Sequence, residues 1–237
     1  ADLRTSFEVA DLTRGDFSVV KMIKNEFGIR QPEKIRFLAK KSEDEWVKLI
    51  QSQHTAGTIK LPLEMNSIAG EVKLSDAEIY GKMLERRFRE AFPTAAFSGG
   101  LERALRSDGV HGLRQPKILN QFLNLHDNFE LLNTPVDEFL KNGIHSEFRT
   151  QIKDENFRLE LKAVQRVFKL VPTFEATDAL LAEDLHSAQK IYRLGQSEFI
   201  RRFAKKPGFT AEPARLAWNR AADTHAAVLT VVADLKA

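Results

Sequence analysis

Several stretches of this sequence bring chemistry-bearing residues into workable spacings. Ser187 and Lys190, in "SAQK", are three apart, as in acyl-transfer enzymes where a lysine activates a serine at a helix start. Such enzymes also need a second serine motif and a Lys-Thr-Gly strand, and neither is present. Glu183 and His186, in "EDLH", have the i, i+3 helical spacing of a di-iron carboxylate ligand pair. No second Glu-x-x-His completes that set, so the pair reads as an acid at a helix end and an ordinary histidine, and no metal is expected. His126 and Asp127, in "NLHDNFE", could serve as base and orienting carboxylate. Asn124 and Asn128 beside them favour the other reading, in which Asp and Asn cap and turn the backbone. His225 lies on the apolar stripe of the last expected helix, where a hydrogen-bonded core histidine is the expectation.

No Gly-rich phosphate loop, Gly-x-Ser-x-Gly elbow or His-Glu-x-x-His occurs, so neither catalytic residues nor a cofactor site is expected. Two basic clusters remain. "ERRFRE" contributes Arg86 and Arg89, and "IRRFAKK" contributes Arg201, Arg202, Lys205 and Lys206. With Phe88 and Phe203 turned inward, these cations form a solvated rim, and the second group suits a helix C-terminus. Together they are the candidate contacts for an acidic partner or a phosphate, although neighbouring acids dilute the first cluster.

Composition narrows the classes further. The chain has 237 residues, 43% of them hydrophobic and 29% charged, which is globular and neither disordered nor fibrous. A net charge of only +3 does not mark a nucleic-acid binder. There is no cysteine, which removes disulfides, thiolate nucleophiles and zinc fingers. No apolar run has the length of a membrane span, and the opening residues do not read as a signal peptide; the chain is expected to be a piece of something longer. The 17 phenylalanines against 2 tyrosines and 2 tryptophans point to ring surface used for burial.

The elements that must position these residues are helical throughout. "GDFSVVKMIKNEFG" places Val19, Val20, Ile23 and Phe27 on one stripe, with Gly28 at a left-handed cap position. Pro32 suits the first turn of a following helix, and Ser42 with Glu45 forms a capping box ahead of Trp46, Leu49 and Ile50. Residues 54–75 break the pattern with Gly57, Pro62 and Gly70, marking a long loop, a small hairpin or a boundary. Ser75 and Glu78 open the next helix, which stops before Pro93. Further helices are expected near 95–106, 116–124, 135–142 and 155–171, then three of about ten residues, then a last one over roughly 211–235. In "REAFPTAAFSGGLERAL" Pro93 is expected to stop one helix, Gly99 and Gly100 to free a corner, and Phe92 and Phe97 to seal it. The fold expected is all-α, an irregular, orthogonally packed set of short helices. Its expected divisions are an N-terminal helical subdomain (1–53), a loop or linker (54–75) and a main helical domain (76–237), with one continuous domain as the alternative.

"EAFPTAAFSGGLERAL" resembles the A component of insecticidal Tc (ABC) toxin complexes and their relatives, among them the Salmonella virulence plasmid A-type proteins. "FGIRQPEKIRFLAKKSEDEWVKLI", "NFELLNTPVDEFL" and "AVQRVFKLVPTFEATDALLAEDLHSAQKIYRLGQSEFIRRFA" continue the resemblance in order across 17–232. What it implies is part of the helical shell of a large secreted toxin subunit, non-enzymatic, with other toxin domains, subunits or copies of itself as partners. The long pore-forming helix and the β-rich receptor-binding insertion of that family are lacking, so channel formation does not carry over to this chain. The alternative expectation is a standalone helical adaptor that docks a protein partner. Neither reading involves nucleic acid, a cofactor or membrane insertion by these residues.

Overall fold

The computed structural model describes residues 2–14, 16–61 and 74–235, and among these every regular element is a helix. The chain divides into two compact units, Ala1–Gly99 and Gly100–Ala237.

The first unit holds α1 (Asp2–Leu12), α2 (Phe17–Glu26), a 3-10 helix (Pro32–Lys40), α3 (Glu43–Thr55) and α4 (Asp76–Ala91), and it takes in the start of α5 (Pro93–Arg106). Both capping boxes form. Glu45 and Ser42 exchange hydrogen bonds at 2.7 and 3.2 Å, and Glu78 and Ser75 do so at 2.7 and 3.3 Å. Gly28 takes φ +59°, and the Ile29 N–H closes the motif on the Lys24 carbonyl at 3.1 Å. Val9, Ile23, Trp46, Tyr80 and Phe88 build the core, with Trp46 and Phe88 stacked at 5.0 Å. The buried Tyr80 hydroxyl donates to the Thr13 carbonyl at 3.0 Å, tying α4 to the end of α1.

Two local expectations are corrected here. The segment opened by Pro32 winds as a 3-10 helix and not an α-helix. The boundary between the two units falls inside α5, and α4 packs directly on α3: a Cβ on Gly81 would lie 2.7 Å from the Val47 Cα. Of the expected loop or hairpin, residues 62–73 lie outside the described residues. Gly99 and Gly100 do not free a corner. The turn is made at Phe92–Pro93, and both glycines sit within α5, where a Cβ would meet the Lys40 carbonyl oxygen at 2.4 Å and the Phe174 Cβ at 2.7 Å respectively. They are there for close approach, not for backbone freedom.

The second unit runs through α6 (Pro116–Leu125), α7 (Val136–Asn142), α8 (Glu155–Phe168), α9 (Phe174–Ala182), α10 (Ala188–Arg193), α11 (Gln196–Phe203) and α12 (Ala211–Asp234). Two carboxylates fix the loop that precedes α6. Asp178 accepts from the His111 and Gly112 N–H groups at 3.0 and 2.8 Å, and Glu160 accepts from those of Arg114 and Gln115 at 2.8 and 3.0 Å. Phe122 sits centrally in one aromatic cluster with Phe129, Phe139, Phe148 and Phe157. A further core gathers Val167, Leu180, Ile191, Phe199, Phe203 and the inner alanines of α12.

Candidate docking surface

The pairs that looked chemical in sequence are each taken up by local structure. Ser187 caps α10, its hydroxyl accepting the Lys190 N–H at 3.3 Å. The Lys190 ammonium turns the other way, onto the carbonyl and carboxylate of Asp184, whose pKa it holds below the usual range. To activate the serine, that nitrogen would have to reach the serine hydroxyl as a neutral amine, whereas here it is turned onto Asp184. Glu183 and His186 share no helix: one follows the end of α9, the other precedes α10, and Asp184 between them has φ +58°. Glu183 pairs with Lys206 at 3.0 Å and His186 with Asp184 at 3.2 Å. Among the described residues no three His, Asp or Glu side chains come together as a metal site would require.

His126 is buried rather than poised in a turn, while Asp127 beside it is exposed. Its Nδ1–H donates to the Phe122 carbonyl at 2.7 Å, and its Nε2 accepts the His145 N–H at 2.9 Å. Because a backbone N–H can only donate, this pair of contacts selects the neutral ring with its proton on Nδ1. Burial pushes the pKa below its ordinary value, and the rings of Phe122, Phe139 and Phe148 surround the imidazole at 4.6 to 5.6 Å.

The basic candidates fall into separate groups. Arg89 on α4 pairs with Glu85 at 2.9 Å, and Arg86 is exposed one turn away. In the second unit Arg201 and Arg202 grip Glu198, and those two guanidiniums draw its carboxyl down to about 2. Lys206 is held by Glu183, leaving Lys205 as the member of that cluster without an ion-pair partner among the described residues. Most of the charge expected for an acidic partner is therefore spent locally, and exposed pairs of this kind contribute little stability.

An unfinished surface lies on α12. Ala214, Ala217 and Ala221 are buried, small enough for α12 to lie close against Ile191, Phe199 and Phe203 of α10 and α11. Their spacing of three and four continues through Thr224 to Val228, Val231 and Leu235, so one packing face runs the whole helix. The supporting helices do not. α10 is only 6 residues long, and beyond Ala221 the face emerges with Val228 54%, Val231 58% and Leu235 82% exposed. At 1.5 Å per residue the uncovered end extends about 20 Å. His225, expected in a core, lies half-exposed on this edge with its ring 5.0 Å from that of Tyr192. The correction has a plain cause: the apolar stripe was real but outruns what it packs on.

A cleft of about 630 Å³ opens between this helix end, the end of α8 and the start of α10. Leu170, Ala188, Val228 and Leu229 give it an apolar lining, and Arg166, Lys169 and Arg220 rim it. Arg220 donates to the Leu170 carbonyl at 3.1 Å and Arg166 to that of His186 at 3.3 Å, so backbone oxygens fix both guanidiniums while their charge stays uncompensated. The sequence reading missed these three cations. The available signal was "THAAVLTVVA", ten residues without an ionisable acid or a permanent cation, directly after Arg220 and Asp223.

By fold the molecule is an all-α protein of short helices in two units, with an apolar, cation-rimmed helix end as its most conspicuous free surface. No protein-family model, curated protein or solved structure matches this chain.

Proposed function

We propose that the chain is a non-enzymatic helical scaffold module, a piece of the helical shell of a Tc-toxin A-like secreted subunit, which works by packing against other domains or subunits. The observation that carries this reading is the α12 face, built to pack along its whole length and left uncovered over its last turns. Exposed apolar area of that kind, contiguous and not scattered, marks a surface that meets protein. The helix is also poorly suited to stand alone there, since Val228, Thr230, Val231 and Val232 are weak helix formers. The resemblance across 17–232 supplies the particular context, a large secreted subunit.

The test is the reading frame that encodes the chain, followed by hydrogen exchange on its product. A very long frame, in whose product the amides of 228–235 exchange far more slowly than in the 237-residue chain alone, supports the scaffold. A frame that adds no further helical domain removes it and leaves a standalone docking module.

A further inference from the structure

We propose that the last turns of α12 and the adjoining cleft receive an amphipathic helix of a partner protein whose polar border is acidic. The proposal rests on the scaffold reading for there being a partner at all, and adds what that partner must look like.

Shape comes first. A straight helical face with residues alternating three and four apart is matched by another helix with the same spacing, laid beside it. The cleft continues that face, so an incoming helix would rest on Val228 and Leu229 and press toward Leu170.

Charge decides the rest. Arg166, Lys169 and Arg220 stand on the rim with Asp223 as the single acid among the lining residues, and none of the three cations has an ion-pair partner among the described residues. A partner helix flanked by glutamates or aspartates would meet them; one flanked by lysines would be repelled.

The same argument disfavours a second copy of this chain. Residues 224–233 of α12 carry no acid, and the two acids at its edges, Asp223 and Asp234, are fewer than the three rim cations, so two such ends facing each other would leave positive charge unmet. A second exposed apolar helix face, Leu3 and Phe7 on α1, is bordered by Asp2 and Glu8, which are already paired with Lys24 and Arg4 at 2.8 and 2.9 Å.

The experiment uses the 237-residue chain and two fluorescently labelled helical peptides of about five turns. Both carry leucines three and four apart; one has glutamates on its remaining positions and the other lysines. Fluorescence anisotropy at low salt should give the Leu/Glu peptide at least about tenfold tighter binding than the Leu/Lys peptide, a gap that closes near 1 M salt, where charges are screened beyond about 3 Å. Leu229→Asp should weaken the Leu/Glu peptide by about tenfold or more, while Lys169→Glu should narrow its advantage without weakening the apolar contact. Both sites are exposed or on the rim, and circular dichroism confirms that each variant folds. Equal affinity for the two peptides, no binding, or indifference to Leu229→Asp would overturn the proposal. So would a dimer by light scattering that Leu229→Asp converts to a monomer, because a second copy would then hold the face. A long reading frame with no peptide discrimination sinks only the docking proposal, whereas a short frame with discrimination sinks only the scaffold reading.

Discussion

Two histidines mark the contrast between the finished and unfinished parts of the second unit. His126 has both ring nitrogens hydrogen-bonded and phenylalanine rings on several sides. His225 lies half-exposed against Tyr192, at the point where α12 leaves its supporting helices. Each side chain is next to aromatic surface, yet only the first is closed off by it. What differs is the number of elements that converge. Around His126 the chain folds back repeatedly within a short span, through α6, α7 and the Ser146–Phe148 turn, so that Phe122, Phe139 and Phe148 arrive from different directions. Around His225 there is one helix and the short α10. Burial depends less on a residue's own stripe than on how many neighbours reach it.

The comparison breaks most visibly under truncation. Phe122→Ala should destabilise the second unit by about 3–5 kcal/mol, since its ring touches at least four other buried rings and no neighbour can fill the space. Val228→Ala in the uncovered end should stay within about 0.5 kcal/mol. Urea unfolding followed by circular dichroism measures both; similar losses would mean that the helix end is packed in solution after all.

A smaller effect should appear in the pH dependence of stability. Unfolded, His126 titrates near 6.5, and burial lowers that value in the folded state. Between the two values the unfolded chain binds a proton that the folded chain refuses. Stability from this group is thus fully present above pH 6.5 and is lost as pH falls through the folded value. Glu160 has the opposite sign. Burial raises its carboxyl above 4.5, despite the opposing hydrogen bonds from Arg114 and Gln115, so its contribution is present below 4.5 and fades as pH rises through the folded value. Melting temperatures of wild type and His126→Gln taken from pH 7.5 downward should diverge near neutrality and converge in acid.

The sequence revealed this contrast only in part. Capping chemistry is local, and Ser42, Ser75, Ser187 and Gly28 act as their spacing predicts or permits. Periodicity found α8 and α12, because an apolar stripe at three and four is visible without knowing what it meets. What stayed hidden was depth. Gly99 and Gly100 looked like backbone hinges, since a glycine needed for close approach carries the same letter as one needed for a left-handed turn. α1 went unread because it turns Leu3 and Phe7 outward and only Thr5 and Val9 fully inward, which leaves little stripe to see. His225 was expected in a core and the burial of His126 was not foreseen for the same reason: local pattern reports a face, and only tertiary structure reports whether anything covers it. Arg166, Lys169 and Arg220 are scattered in sequence and meet only at the cleft, where Arg220 of α12 reaches the Leu170 carbonyl just past the end of α8.

The finest test of the comparison inverts the usual sign of a core mutation. Alanine at a buried position destabilises by removing contacts, whereas alanine at an exposed helical position has the better intrinsic propensity. Val231 is 58% exposed within α12, and its branched Cβ restricts its rotamers against the preceding turn. Val231→Ala should therefore leave the isolated chain unchanged or stabilise its helix end by a few tenths of a kcal/mol. Amide exchange resolves so small a change at the neighbouring residues, where global melting would not. Faster exchange at 228–235 in the variant would show that Val231 has a packing partner in solution, and the contrast with Phe122 would then be one of degree alone. Slower exchange would place the free energy of this helix end in its backbone, which is the condition for an arriving partner to find the face empty.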